Sequence, residues 1–283
     1  MPRYSASVKE RIQKLLANAG VASRRSVEEM VRQGRVVVNG KVQKELPILI
    51  DPGKDKVVVD DEPVKFKVNR ATGRPTERVY FLLNKPRGVY STNVAQGAQV
   101  RAIDLLPPNV GGRVYPVGRL DAESRGLLLL TNDGDLTNGL THPKFGVSKT
   151  YRATVDGLVD PAALEQLQGG IWLADPQGRG FKTGRTRLRV VRRGRDKSIL
   201  EITLREGRNR QVRRMLAKVG HKVRDLMRVQ MGPLTLEGLK PGQFRPLTTR
   251  EVKALRKLVQ PIEAEKETEA VVVEVAEEGE GEN

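Results

Sequence analysis

Gly118-Arg119-Leu120-Asp121-Ala122-Glu123-Ser124-Arg125-Gly126-Leu127-Leu128-Leu129-Leu130-Thr131-Asn132-Asp133-Gly134 sets the carboxylate of Asp121 between two arginines and runs on into four leucines. The leucine run has strand character, and the Asn-Asp-Gly after it supplies turn chemistry. The stretch reads as loop, buried strand and turn, with an acidic side chain fixed where the strand begins. An ionisable group at such a place is either half of a structural ion pair or part of a site. The residues around it decide.

Working outward, Val79 to Leu83 is a strand, and Asn84-Lys85-Pro86-Arg87-Gly88 is a turn with two cations, which read equally as loop charges or as phosphate contacts. Arg101 to Leu106 is a short helix stopped by Pro107-Pro108, and Lys149 to Val155 alternates as a strand does. Asp160 and Pro161 open a helix to Leu167. Thr186 to Val191 and Ser198 to Leu204 are strands, Val223 to Met231 returns to the sheet, and Thr248 caps a last helix from Glu251 to Leu258. Short strands with interspersed helices predict an α+β domain over 78–260 with a mixed, mainly antiparallel sheet. Val212, Met215, Leu216 and Val219 give an apolar helix face. Around it lie Arg205, Arg208, Arg210, Arg213 and Arg214. Five such cations repel each other unless anions sit among them, and RNA phosphates plus one carboxylate would serve.

The N-terminal part has a different pattern. Residues 8–18 form an amphipathic helix, and Ser23 caps a second one with Arg24 and Arg25 in its first turn. Cations are disfavoured at a helix N-terminus, so an anionic partner explains them better than stability does. Val36-Val37-Val38, Asn39-Gly40 and Lys41-Val42 make strand, turn and return, with a further strand from Lys56 to Val59. Residues 6–66 therefore read as one small basic domain, 67–77 as a linker, and the Glu-rich 261–283 as a disordered acidic tail. That tail is either a solvating segment or a competitor with RNA for the basic groove.

The bulk composition narrows the partner. The chain of 283 residues carries +17, but nine Glu and one Lys fall in 261–283, so residues 1–260 alone carry +25. Such an excess attracts polyanions, and nucleic acid fits because neutralised phosphates release counterions. No apolar run is long enough to span a bilayer, and Met1 to Lys9 lacks a secretory signal, so a cytoplasmic protein without a membrane partner is expected. With no cysteine, disulfide and thiolate chemistry are excluded, and two histidines (His142, His221) make a zinc site unexpected.

Two resemblances gather these features. Ala22-Ser23-Arg24-Arg25 through Gly34-Arg35-Val36-Val37-Val38-Asn39-Gly40 resembles the small RNA-binding module named after ribosomal small-subunit protein S-four, which binds structured RNA by shape and phosphate contacts. Gly118-Arg119-Leu120-Asp121, Lys149-Thr150-Tyr151 and Arg205 through Met215 resemble, in order, the motifs of bacterial ribosomal RNA pseudouridine synthases that carry this module. The resemblance spans residues 6 to about 256. It implies isomerisation of one uridine in folded ribosomal RNA, with no metal or redox cofactor, by an enzyme expected to be a monomer acting on a stem-loop.

Residue by residue, it implies Asp121 as the nucleophile, attacking the anomeric carbon or the uracil ring, or else removing a sugar proton. It implies Tyr151 stacked on the base with its hydroxyl in reach of a proton in transfer, and Arg213 paired with the aspartate, with Arg214 as the substitute should the register slip by one. Arg119 is a candidate to fill the space that the flipped base vacates. Lys85, Arg208, Arg210, Arg24 and Arg25 are candidate RNA contacts. The wording of the Arg-Asn-Arg-Gln-Val-Arg-Arg motif is most similar to the large-subunit type B enzymes, with the small-subunit relatives second. A catalytically idle RNA-binding assembly factor is the alternative from another class, and the presence of Asp121 argues against it.

Overall fold

The computed structural model describes residues 9–66 and 78–260, except 109, 111, 112 and 176; the expected linker (67–77) and acidic tail (261–283) lie outside the described residues. Near the N-terminus, helices Ile12–Asn18 (α1) and Arg24–Arg32 (α2) precede strands Val36–Val38 (β1), Lys41–Gln43 (β2), Val57–Val59 (β3) and Glu62–Val64 (β4), ordered β2-β1-β3-β4. Their core is Ile12, Leu15, Leu16, Val27, Val31, Val36 and Val57. Ser23 caps α2 by accepting from the Ser26 amide at 3.1 Å, a contact worth ~1 kcal/mol. Asn39 and Gly40 both take positive φ, as the tight turn from β1 into β2 requires. Asp60 and Asp61 take the same conformation and turn the chain into β4, where the sequence suggested only the end of a strand.

The larger part is one mixed sheet. Along its main path the strands are Tyr80–Lys85 (β5), Arg125–Thr131 (β6), Lys149–Asp156 (β7), Arg187–Arg192 (β8), Lys197–Leu204 (β9), Val223–Met231 (β10) and Phe244–Pro246 (β11), in the order β8-β9-β7-β10-β6-β5-β11, with Tyr115–Pro116 and Leu234–Thr235 pairing at its margins. Every neighbouring pair along this path is antiparallel except β6 with β10. The four-leucine run is buried on both faces, which is why it does not alternate with polar residues. Leu127 and Leu129 pack with Leu136 and Leu140 of helix Gly134–Thr141 (α3) and with Leu255 of Thr249–Leu258 (α6). Leu128 and Leu130 pack instead with Leu83 of β5 and with Val89, Leu106 and Leu120 from the connecting segments. Helices Pro161–Gly169 (α4) and Gln211–Lys218 (α5) cover the other half of the sheet through Ala163, Leu167, Val212, Met215 and Leu216.

The parallel junction is narrow, with Met227 opposite Arg125 and Arg228 opposite Gly126. Gly126 has φ +103°, and a Cβ there would fall 2.3 Å from the Arg228 carbonyl oxygen, so only glycine lets the strands approach. Arg125 and Asp225 brace the junction with a 2.7 Å ion pair. Just beyond β6, Asp133 is buried, which demands partners for its charge. It caps α3 through the Leu136 amide and accepts from Tyr80 at 2.7 Å, Arg78 at 2.5 Å and Arg256 at 3.3 Å. The Asn-Asp-Gly expected as a plain turn is thus a helix cap that also ties β5 to α6. Lys14 of α1 reaches Asp135 of α3 at 2.8 Å and joins the N-terminal helices to the sheet's helices. Among the described residues, no helix is long and apolar enough to cross a membrane.

Candidate active site

Asp121 sits on a loop held on three sides. The Leu120 amide donates to Ser91 Oγ at 3.2 Å, the Gly88 amide donates to the Ala122 carbonyl at 2.8 Å, and the Ser124 amide closes a turn onto the Asp121 carbonyl at 2.9 Å. Leu120 and Ser124 are buried while Asp121 stays about one-third exposed, so packing on either side aims its carboxylate outward. It opens into a cavity of about 260 Å³ lined also by Arg119, Tyr151, Arg208, Arg210 and Gln211. Tyr151 comes from β7, Arg119 from the Asp121 loop, and Arg208 and Arg210 from the approach to α5; Ser124, just before β6, and Leu226 of β10 also line it, so the cavity straddles the junction of those two strands. Asp121 and Arg119, neighbours on one loop, share its walls with Tyr151, Arg208 and Arg210 from distant parts of the sequence.

The ion pair at Asp121 is made by a different arginine from the one expected. Arg210 Nη1 lies 3.5 Å from Asp121 and its Nη2 lies 3.2 Å from Glu123. Arg213 lies one turn further along α5, donates to the Val223 carbonyl at 3.2 Å and reaches Glu123 at 3.9 Å. Neither Arg213 nor Arg214 is within ion-pair distance of Asp121. The reason is backbone: Arg210 takes φ +48° just before α5, which turns its side chain back over the Asp121 loop. A left-handed non-glycine residue leaves no mark in a sequence pattern. Arg214 points away, donating to the Ala174 carbonyl.

The loop that holds Arg210 is fixed by Gln211, which is buried. Its side-chain amide donates to Glu206 at 2.5 Å and its oxygen accepts from the Arg208 amide at 3.0 Å. Arg208 stacks over the Phe181 ring at 4.0 Å. Burial pulls the Arg213 guanidinium below its ordinary value, opposed by Glu123 and helped by Arg210. Hydrogen bonding to Arg210 holds the Glu123 carboxyl below the usual range, and Arg213 adds to this. Glu123 therefore couples the two arginines. Its distance of two residues from Asp121 was the available signal, since it puts a second acid on the same turn.

Lys85 also departs from expectation. It ends β5 rather than occupying a turn, and at 0 % exposure it cannot touch RNA. Its ammonium donates to the carbonyls of Val89 at 2.7 Å and Pro86 at 3.0 Å, shaping the loop whose Gly88 holds Ala122. Burial lowers its pKa to about 8, with Asp121 opposing and Arg228 adding to the shift. Arg228, absent from the sequence expectations, is 2 % exposed and donates to the Leu127 carbonyl at 2.7 Å. Alternation along β10 could have revealed it, because Arg228 shares the inward parity of Leu226.

Arg119 is exposed at the cavity rim, and Arg24 and Arg25 are exposed in the first turn of α2. Arg24 leans on the sheet's helices: a Cβ added to Gly134 would lie 3.0 Å from its Nη2. Arg25 borders a shallow depression with Glu29, Met30 and Arg35. These arginines are not at the cavity; they lie along the N-terminal helices.

Residues 79–218 match the RNA pseudouridylate synthase family, and residues 10–53 match the S4 domain. The chain is 44% identical over 249 residues to a Bacillus subtilis protein named ribosomal large subunit pseudouridine synthase B, covering 88% of this chain and 96% of that one. An Aquifex aeolicus protein described as an uncharacterized RNA pseudouridine synthase is 42% identical over 250 residues, 88% of this chain and 94% of its own. A crystal structure of a pseudouridylate synthase is similar with a TM-score of 0.61 and 30% identity, covering 87% of this chain and 99% of that chain.

Proposed function

The chain belongs to the RNA pseudouridine synthases, and from that premise we propose that it isomerises one uridine of large-subunit ribosomal RNA with Asp121 as the nucleophile. The observation that carries the assignment is the partly exposed Asp121 carboxylate in a basic cavity that it shares with Tyr151. The large-subunit target rests on the Bacillus subtilis relative.

In the isomerisation the glycosidic bond from C1′ to N1 breaks and a bond from C1′ to C5 forms. The proton on C5 is lost and N1 takes one up, so nothing is added or removed. A carboxylate suits this chemistry because it can form and release a covalent adduct while the base turns. Arg210 orients that carboxylate and balances its charge, and Arg213 acts as a positioning residue by holding Glu123, which in turn holds Arg210. Tyr151 supplies a ring face for the uracil and a hydroxyl for proton handling. Extruding the uridine from its stack costs a few kcal/mol, and Arg119 fills the gap; its exposure at the rim supports this. Arg25 and Arg24 contribute phosphate contacts from α2.

Pseudouridine mapping of both ribosomal RNAs from cells lacking the gene tests this directly. One modification in the large-subunit RNA should disappear, and it should return with the wild-type gene but not with Asp121→Asn. Purified Asp121→Asn should still bind an unmodified transcript with nearly wild-type affinity. Restoration of the modification by Asp121→Asn would remove the nucleophile from the mechanism.

A further inference from the structure

Beyond the cavity, a two-stranded hairpin of Trp172–Ala174 and Gly180–Lys182 stands apart from the main sheet. Its inner side chains, Leu173 and Phe181, belong to the core over α4 and α5. The opposite side presents Trp172, the chain's sole tryptophan, 64 % exposed. Lys182 is its direct cross-strand neighbour, and the indole lies over Gly180, whose Cβ would sit 3.7 Å from it. A glycine there leaves the ring against bare backbone. Lys182 and the adjoining Arg185 and Arg187 are exposed and have no acidic partner among the described residues.

An indole so exposed is costly in water unless something covers it, since burying apolar surface is favourable by about 25 cal/mol per Å². Its surroundings say what kind of cover fits. Free cations beside an aromatic face match a nucleotide, whose phosphate meets the charge while its base stacks on the ring. The hairpin is also fastened to the cavity wall. Arg208 stacks on Phe181, the Gly184 amide donates to Glu206 at 2.9 Å, and Arg214 donates to the Ala174 carbonyl. The hairpin is therefore joined to the wall that carries Arg208.

We infer that Trp172 and Lys182 form a second RNA subsite, where an unpaired nucleotide flanking the target stacks on the indole. This rests on the assignment of RNA as substrate. It adds a sequence-tolerant anchor, because every base offers a π-face.

Because the chain has one tryptophan, its fluorescence reports this surface alone. The full-length protein is titrated with an unmodified large-subunit ribosomal RNA transcript and with oligouridylate, while pseudouridine formation in the transcript is measured in parallel. Emission should be quenched saturably and the indole shielded from acrylamide. Trp172→Ala should weaken RNA binding by about five- to about a hundredfold, and Trp172→Phe should recover most of that loss. Lys182→Glu should weaken binding and flatten its salt dependence by about one phosphate contact. Isomerisation without any change in emission, or wild-type affinity in Trp172→Ala, overturns the subsite while sparing the assigned reaction. Quenching without isomerisation by the wild-type protein overturns the reaction and leaves the subsite standing. Quenching that follows protein concentration without RNA assigns the surface to a second copy of the chain and overturns the subsite.

Discussion

At the scale of single residues, the lysines around Arg228 are the most unusual choice in the molecule. Lys85 and the half-buried Lys149 are each drawn down to about 8 by burial, with Arg228 adding to both shifts. A lysine whose folded pKa lies below its unfolded value of 10.5 binds fewer protons when folded. Between about pH 8 and 10.5 the unfolded chain holds the extra protons, so these two groups make stability rise with pH. Their burial cost is present in full below that window. Urea unfolding of the wild type should show this as a gain of roughly 1 kcal/mol per lysine from about pH 7 to about pH 9. Lys85→Met should remove about half of the gain; an unchanged pH slope would show that Lys85 keeps its proton across this range when folded, as it does when unfolded. Asp121 and Tyr151 could be singled out from the sequence because ordered motifs surround them. Lys85 was legible as a cation but not as a buried one, since a lysine ending a strand and a lysine opening a turn before proline have the same letters. Arg210 was legible as a cation but not as the partner of Asp121, because its left-handed backbone belongs to the folded loop.

Among elements, the strand carrying the leucine run has the least tolerance. Gly126→Ala must push the Arg228 carbonyl aside and also strains a positive φ, so it should cost roughly 3–5 kcal/mol or abolish folding. Gly88→Ala, whose Cβ meets open space, controls for conformational strain alone and should cost about 1–3 kcal/mol. Equal melting temperatures for the two variants would contradict the close approach at Gly126. Periodicity made most elements readable: alternation marked β7 and β9, and a 3.6-residue rhythm with Thr248 or Asp160 ahead marked α6 and α4. The hairpin around Trp172 escaped, because strands of three residues among Gly and charged residues are too short to show a period. The terminal strand β11 escaped for the same reason.

For the whole molecule, charge is the dominant variable. Deleting residues 261–283 removes nine Glu and one Lys and raises the net charge from +17 to +25. Filter binding should then show non-specific RNA affinity at least severalfold tighter at low salt, with the difference fading as screening grows. Equal affinity at low salt would mark the tail as a bystander. The broad plan, a small basic module ahead of an α+β body, was readable because composition and motif order act over tens of residues. The meeting of the two parts at Lys14 and Asp135 was not, since surface ion pairs leave no pattern. The narrow junction between β6 and β10 also gives the chain a timetable. Asp121 stands on one side of it and Arg210 on the other, and the pairing of Arg125 and Gly126 needs Met227 and Arg228. During synthesis the arginines of α2 emerge well ahead of the strand that completes the cavity, which ends at Met231. The basic face of α2 is therefore made well before the cavity around Asp121 can close.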